Sequence, residues 1–173
     1  MGGMALSVSS ASADYVYGVG PLYNGSNWMC VDDPGWSTSW GTQMQLWGCT
    51  GGANQKWKEM IVTECTYGGD YCWNDVMIQN QYSGLCLGVY GDSNADWTSA
   101  IQWACDPNDN AELFRVFPST NGPPYWVLCV INTGTCLNDP GQSANYGTQL
   151  IFYHNDYTAA EIWYNDQWVG QGP

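Results

Sequence analysis

The chain repeats itself, and this repetition constrains its fold more than any other feature of the sequence. At a shift of 106 positions, residues 30–49 align with residues 136–155 without a gap, and eight of the twenty residue pairs are identical. At a shift of 56, residues 86–105 share six residues with the same first segment. A repeat of about fifty residues is too small to bury a hydrophobic face by itself, so the three copies must close around one shared core.

The segments between the turns indicate strands rather than helices. They are short and rich in aromatic and β-branched residues, as in residues 60–63, 75–78 and 125–128. In residues 44–47, apolar Met and Leu alternate with Gln and Trp, which is typical of a strand with one buried face. No window sustains a helical stripe beyond two turns. The sequence therefore predicts an all-β domain with closed, three-fold pseudo-symmetric packing.

The N-terminus differs in character from the rest of the chain. Residues 1–13 are small, uncharged and weakly apolar, and residues 11–13 have the small-x-small form of a signal-peptidase site. We expect residues 1–13 to be the remnant of a secretion signal and residues 14–173 to form a single domain. Its repeats are expected at approximately 14–68, 69–120 and 121–173, with equivalent core positions at Trp57, Phe114 and Trp163.

The charge balance excludes several classes of partner. Sixteen Asp and Glu residues face only three Lys and Arg residues, which gives a net charge of −13. Nucleic-acid phosphates require a basic face, and anionic membrane surfaces attract basic segments, so neither is an expected partner. No stretch reaches the ~18 consecutive apolar residues of a membrane span, so no membrane insertion is expected.

Eight cysteines in a chain with few charges are typical of a secreted, extracellular protein held by disulfides. The first and second repeats each contain two cysteines nineteen residues apart, which predicts the same bond twice. The other four cysteines form two pairs seven residues apart, one of them around a Gly-Gly turn signal. We predict four local disulfides: Cys30–Cys49, Cys65–Cys72, Cys86–Cys105 and Cys129–Cys136. With one histidine and no C-x-x-C pair, neither a metal site nor a cofactor is expected.

A motif in the first repeat resembles the Q-x-W repeat of R-type lectins. It consists of Cys-Val-Asp at 30–32, Gly-Thr-Gln-Met-Gln-Leu-Trp-Gly-Cys at 41–49 and Asn-Gln-Lys-Trp at 54–57. This is the ricin B-chain family, also called family 13 carbohydrate-binding modules. The resemblance extends over nearly the whole chain after residue 20, although the motif's Gln is Glu in both later repeats. It implies a β-trefoil with up to three shallow sugar sites, one per repeat, and favours galactose-type ligands.

The first repeat contains the residue types that a sugar site needs. A sugar presents hydroxyl pairs and one apolar C–H face, which require a hydrogen-bond acceptor beside an aromatic ring. Asp32 supplies a charged acceptor and Trp47 a platform. The amides of Gln45, Asn54 and Gln55 bond the sugar or hold the site's edges. All five match the family positions that touch or support the sugar. The alternative interpretation is that the aromatics cover the barrel and the carboxylate caps a turn.

The later repeats depart from this pattern. In the second repeat Gly88 replaces the acidic residue, and we expect this copy to be structural although Trp103 remains. In the third repeat an amide stands at the position of Asp32, which leaves a weaker candidate site. The residues of this second candidate site are Asn138, Ile151, Tyr153 and His154. Trp36 and Trp40, on the loop of the first repeat, either extend the binding surface for a longer glycan or are simply exposed aromatics.

Little in the sequence supports catalysis. There is no G-x-S-x-G motif, no second histidine and no cysteine left over as a nucleophile once four bridges form. Asp32 and Asp33 are adjacent on a strand and therefore point to opposite faces, so they do not form a glycosidase pair. The acidic run at 106–110 lacks the glycine that an EF-hand calcium loop requires. An enzyme is therefore not expected.

The sequence predicts a secreted lectin that binds glycans or polysaccharide and leaves its oligomeric state open. One alternative is a carbohydrate-targeting module of a secreted glycoside hydrolase. Another is a trefoil used for protein interaction, such as a protease inhibitor, in which loop residues 66–72 and 118–124 would carry the function instead of Asp32.

Overall fold

The regular structure of the domain is almost entirely antiparallel strand, as the sequence predicts. A computed structural model describes residues 16–63, 74–122 and 124–168. Four short 3-10 helices lie among these residues, at Ala53–Gln55, Tyr90–Asp92, Asn110–Glu112 and Ala159–Glu161. The fourteen strands of the described residues are β1 (Val16–Pro21), β2 (Tyr23–Asn24), β3 (Cys30–Asp32), β4 (Gln45–Trp47), β5 (Lys56–Thr63), β6 (Asp75–Asn80), β7 (Cys86–Val89), β8 (Thr98–Trp103), β9 (Phe114–Pro118), β10 (Tyr125–Val130), β11 (Thr135–Asn138), β12 (Thr148–Gln149), β13 (Ile151–His154) and β14 (Trp163–Tyr164).

A succession of six antiparallel strands forms the body of the domain. β1 pairs with β5, β5 with β6, β6 with β9, β9 with β10 and β10 with β14, all antiparallel. The segment after β14 returns to β1, where a Cβ atom at Gly18 would collide with the main chain of Gln167. Gly18 also has a φ of +35°, so glycine is required there by both space and backbone conformation. This close approach brings β1 and the segment after β14 together, so the first and last strands of the succession lie near each other.

A second strand pair in each repeat lies outside this body, and the three pairs have the same register. Cys30 lies opposite Trp47 in β3 and β4, Cys86 opposite Trp103 in β7 and β8, and Cys136 opposite Tyr153 in β11 and β13. These partners are equivalent in the sequence alignment of the repeats. The structure therefore confirms the predicted three-fold pseudo-symmetry residue by residue, in the arrangement of a β-trefoil.

The core forms around the three positions that the alignment of the repeats predicts to be equivalent. Trp57, Phe114 and Trp163 are all fully buried. The indole N–H of Trp57 donates to the carbonyl oxygen of Val31 at 3.0 Å, and that of Trp163 donates to the equivalent carbonyl of Leu137 at 3.0 Å. The phenyl ring of Phe114 has no such donor. Two of the three repeats are thus linked internally by the same buried hydrogen bond, which is expensive to leave unmade.

Three of the predicted disulfides are present among the described residues. They join Cys30 to Cys49, Cys86 to Cys105 and Cys129 to Cys136. The predicted Cys65–Cys72 bond, loop 66–72 and the predicted signal remnant at 1–13 lie outside the described residues. In the part of the chain that the structure describes, no helix has the length and apolar character needed to cross a membrane.

Candidate functional site

The carboxylate of Asp32 lies at the centre of a network of side-chain amides. Asp32 ends β3 directly opposite Gln45 on β4, and the Gln45 Nε2 atom donates to Asp32 Oδ2 at 2.8 Å. The 3-10 helix before β5 brings Asn54 and Gln55 to the other oxygen, where their amide nitrogens donate to Asp32 Oδ1 at 2.8 and 2.9 Å. Four of the five predicted site residues are therefore in direct contact.

The supporting amides are themselves fixed by the main chain. Asn54 Nδ2 also donates to the carbonyl oxygen of Asp33 at 3.0 Å, and Gln55 Nε2 donates to that of Gly48 at 3.0 Å. The Gln55 Oε1 atom accepts from the main-chain N–H of Thr50 at 2.7 Å. Asp32 itself is only 5% exposed. The network holds the carboxylate rigidly just below the surface, so little reorganisation is needed when a ligand hydroxyl arrives.

Trp47, the fifth predicted site residue, has an aromatic partner that comes from another repeat. It is 41% exposed, whereas Leu46 beside it is fully buried, as the strand alternation predicts. The ring of Tyr146, from the third repeat, lies 5.1 Å from the Trp47 ring between centroids. The first-repeat surface is therefore built from two repeats.

An aromatic contact of this kind joins each repeat to the next. A loop aromatic of one repeat contacts the platform aromatic of the next, in cyclic order, at centroid distances of 5.1 to 5.3 Å. Such pairs add stability beyond the area they bury. The pairs are Trp40 with Trp103, Trp97 with Tyr153, and Tyr146 with Trp47. Neither Trp97 nor Tyr146 was predicted from the sequence, although Tyr146 aligns with Trp40 at the shift of 106.

Trp36 borders the same network. Its φ of +55° lies in the left-handed region, which costs a bulky residue free energy and is held only where the surroundings fix it. Its ring lies against Gly52, where a Cβ atom would come within 2.9 Å of the indole and 2.7 Å of Asn54 Oδ1. The ring also contacts Tyr82 edge-on, at 4.9 Å between centroids. Trp36 therefore forms one wall beside Asn54.

Asp33 has a different environment from its neighbour Asp32. It is fully buried, and burial raises the pKa of its carboxyl to about 7. Its Oδ1 atom accepts from Gln102 Nε2 of the second repeat at 3.3 Å. The equivalent Asp139 is also fully buried and accepts from Asn27 of the first repeat at 3.1 Å. These aspartates connect neighbouring repeats and do not face the candidate sugar site.

Residues of the third repeat surround a cavity of about 220 Å³. In this repeat the acid and the amide of the first-repeat network have exchanged positions. Asn138, Ile151 and Tyr153 all line this cavity. Asn138 Nδ2 is 3.4 Å from Oε1 of the buried Glu161, so the carboxylate occupies the Gln55 position and the amide the Asp32 position. Burial is the main reason that the pKa of Glu161 is raised to about 7.

His154 has a different role in the geometry. Its Nδ1 atom lies 2.8 Å from Asp96 Oδ2, and it is not among the residues that line the third-repeat cavity. The hydrogen bond with Asp96 raises the pKa of this exposed histidine. The structure therefore brings three of the four residues of the second candidate site together, whereas His154 is paired with Asp96 outside the cavity lining. A carboxylate that the sequence analysis missed, Asp156, also lines the cavity.

The second repeat also has a cavity at the equivalent position, of about 430 Å³. Gly88 lies opposite Ile101 there, just as Asp32 lies opposite Gln45 in the first repeat.

In the described part of the chain, no group of three or more His, Cys, Asp or Glu side chains is arranged to hold a metal ion.

Comparisons with known proteins agree with this architecture. The model of the ricin-type beta-trefoil lectin domain-like family matches residues 62–153. Since this span exceeds half of the chain, the protein belongs to the ricin-type β-trefoil lectin-like family. The matched region contains the second repeat and part of the third, whereas the amide network around Asp32 lies before it.

Three solved structures illustrate the likeness. The designed three-fold symmetric protein ThreeFoil has a TM-score of 0.70 and 22% identity, over 84% of this chain and 96% of that one. The Macrolepiota procera ricin B-like lectin, in complex with lactose, has a TM-score of 0.65 and 17% identity, over 90% of this chain and 97% of that one. An exo-beta-1,3-galactanase from Clostridium thermocellum has a TM-score of 0.71 and 18% identity, over 85% of this chain and 29% of that one. At these identities the likeness shows the fold, and the fold is a β-trefoil.

Proposed function

We propose that the protein is a secreted, non-enzymatic lectin that binds galactose-type or related sugars through the first repeat. The observation that carries this proposal is the Asp32 carboxylate, which three side-chain amides hold beside the Trp47–Tyr146 ring pair. An oriented charged acceptor next to an aromatic face is the arrangement that a sugar ring requires.

The hydrogen-bond inventory of Asp32 leaves capacity for a ligand. An ionised carboxylate has about four acceptor positions, two on each oxygen. Oδ1 accepts from both Asn54 and Gln55, whereas the described contacts of Oδ2 comprise the Gln45 bond alone. We therefore assign the sugar hydroxyl to Oδ2 and the C–H face to the exposed side of Trp47.

The third repeat is proposed as a second, weaker site. Its cavity offers Asn138 in place of the charged acceptor, and the Tyr153–Trp97 pair in place of Trp47 and Tyr146. A single shallow site of this type binds with a dissociation constant on the order of 1 mM, or about −4 kcal/mol. Two sites on one chain raise the avidity for a multivalent glycan surface without any new contact.

Several observations support the ligand class and the compartment. The Macrolepiota procera lectin of the same fold is in complex with lactose, which contains a terminal galactose. The net charge of −13 repels anionic glycans and so favours neutral sugars. Disulfides such as Cys30–Cys49 persist in oxidising compartments, which supports secretion.

The test is a glycan array run with the oxidised protein and with the variant Asp32→Ala. Asp166→Asn is the matched control, because it removes one negative charge at an exposed position away from the network. We expect binding to terminal galactose-type sugars, reduced in Asp32→Ala to the weaker binding of the third repeat and retained in the control. Unchanged binding by Asp32→Ala would contradict the proposed site. No binding by the folded parent protein would contradict the lectin function and favour the interaction-module alternative.

The galactanase comparison favours one second candidate function. The chain matches only 29% of that enzyme, so a trefoil of this shape also occurs as one part of a longer enzyme. As a targeting module of a secreted glycoside hydrolase, the protein would bind internal segments of a polysaccharide. Affinity electrophoresis on a soluble β-galactan distinguishes the two functions, because a lectin for terminal sugars is retarded far less by the long polymer than by a glycan with many chain ends.

A further inference from the structure

The second repeat lost the acidic residue at position 88, but the structure places another carboxyl in the same cavity. Glu112, from the 3-10 helix before β9, lines the cavity beside Gly88. A Cβ atom at Gly88 would lie only 3.2 Å from Glu112 Cγ and 4.0 Å from Glu112 Oε1. The absence of a side chain at Gly88 therefore leaves space for the Glu112 carboxyl where Asp32 stands in the first repeat.

One oxygen of this carboxyl is held and the other is unused. Glu112 Oε2 accepts from the main-chain N–H of Asp106 at 2.8 Å. Glu112 Oε1 is buried and makes no hydrogen bond within the described part of the chain, and the residue is only 1% exposed. A buried acceptor without a partner is costly, so a ligand that donates to it recovers this free energy. Oε1 is also the carboxyl oxygen nearer to Gly88, which lines the same cavity.

The rest of the lining indicates the charge of that ligand. Asp92 and Asp109 also line the cavity, which has no Lys, Arg or His among its lining residues. Burial, followed by the carboxylates of Asp109, Asp106 and Asp92, raises the pKa of Glu112 to about 7. The rings of Tyr90 and Trp103 complete the wall, and aromatic faces attract cations. Carboxyls and ring faces together favour a cation over a neutral sugar.

We propose that the second-repeat cavity binds an amino sugar in its ammonium form, a hexosamine without an N-acetyl group. The ammonium group lies between Glu112 and Asp109, and the C–H face of the sugar lies on Trp103, which Trp40 supports at 5.2 Å. This inference rests on the carbohydrate-binding function proposed above, but it does not depend on the first-repeat site. It assigns a ligand class to the repeat that the sequence analysis treats as structural.

The test is an NMR titration of the ¹⁵N-labelled full chain with three probes that differ only at C2: glucosamine, glucose and N-acetylglucosamine. It is run at neutral pH and about 0.15 M salt, where the Debye length of about 8 Å screens non-specific attraction to an acidic protein. We expect glucosamine to shift the Gly88 amide and Trp103 indole signals saturably. The two uncharged sugars should bind there at least about tenfold more weakly, a difference of about 1.4 kcal/mol.

Matched variants locate the effect. Glu112→Gln places in the second repeat the residue that the first repeat has at Gln55 and keeps an acceptor oxygen for the Asp106 N–H. We expect it to have at least a tenfold weaker affinity for glucosamine. Asp109→Asn keeps the main-chain bond to Ala111 and should weaken binding severalfold. Asp166→Asn, with the same loss of charge at an exposed position, should change affinity less than about twofold.

The outcomes separate this proposal from the first-repeat site. Equal binding of glucose and glucosamine, or unchanged affinity in Glu112→Gln, would overturn the amino-sugar site. Asp32→Ala should leave the Gly88 shift intact while it removes neutral-sugar binding at the first repeat. A protein that binds glucosamine normally but shows no Asp32-dependent sugar would contradict only the first-repeat proposal.

Discussion

Glu59 makes the stability of this domain depend on pH in an unusual direction. It lies on β5, is only 1% exposed, and burial raises the pKa of its carboxyl from 4.5 to about 8. In the unfolded chain the carboxyl loses its proton near the ordinary value. Between these two values the folded state binds more protons than the unfolded state, so the free energy of unfolding falls as pH rises. The contribution is fully present below about pH 4.5 and is lost through about pH 8.

The magnitude follows from the pKa difference. Burial therefore raises the pKa of Glu59 by about 3.5. At 1.36 kcal/mol per unit this corresponds to about 5 kcal/mol. That value is a ceiling, because water penetration and relaxation around an ionised buried group reduce the penalty. Glu59→Gln keeps the shape and removes the titration. We therefore expect the variant to equal the parent near pH 4 and to exceed it by several kcal/mol near pH 9.

The assay is urea unfolding of parent and variant at several pH values, with the free energy of unfolding extrapolated to water. In the variant the free energy of unfolding still falls with rising pH, but less steeply than in the parent. The remaining slope comes from four other carboxyls whose pKa values burial also raises: Asp33, Glu112, Asp139 and Glu161. Asp166→Asn controls for the change in net charge and should keep the parent's slope. A Glu59→Gln variant that loses stability with rising pH as steeply as the parent would refute the reasoning.

Three further changes test the core, a disulfide and the shared platform. Trp57→Phe leaves a main-chain carbonyl without its indole donor and should lower the free energy of unfolding by about 1–3 kcal/mol in urea; unchanged stability would contradict this role. Replacing Cys30 and Cys49 together by Ala opens a loop of about 20 residues and should cost about 3 kcal/mol, seen as a lower Tm; an equal Tm would show that the bond adds nothing. Tyr146→Ala should weaken sugar binding at the first repeat by about 0.5–1.5 kcal/mol, or roughly two- to tenfold by isothermal titration, with the fold intact. Equal affinity would mean that the ring does not support Trp47.

The fold was predictable because each element occurs three times in the sequence. The alternation at Met44 and Leu46 predicts a buried face, and both side chains are fully buried in the structure. Alignment of the copies gives the strand register, since Cys30 and Cys86 are each opposite a tryptophan seventeen residues further on. A single strand of this length would have been ambiguous, whereas repetition at equivalent positions removes the ambiguity.

The contacts between repeats were not predictable in the same way. Tyr146 and Trp47 lie ninety-nine positions apart, and their contact depends on the order in which the repeats close around the core. The exchange of acid and amide at Asn138 and Glu161 escaped prediction for another reason. The alignment of the repeats relates Asn138 to Asp32 and Glu161 to Gln55, one position at a time. The hydrogen bond joins Asn138 to Glu161, and their two substitutions compensate each other. Such pairs become visible only when the partners are known to touch.

The cyclic order of the aromatic pairs affects how such a domain can arise and be altered. Because the platform aromatic of each repeat packs against a ring from the preceding one, an isolated repeat has only one ring of each pair. Three identical single-repeat chains would acquire whole sites only when the ring closed, so assembly and ligand recognition would appear together. In the fused chain the same geometry means that a mutation at Trp97 removes a ring that packs against Tyr153 in the next repeat. Specificity at any proposed site would therefore depend on two segments that vary independently.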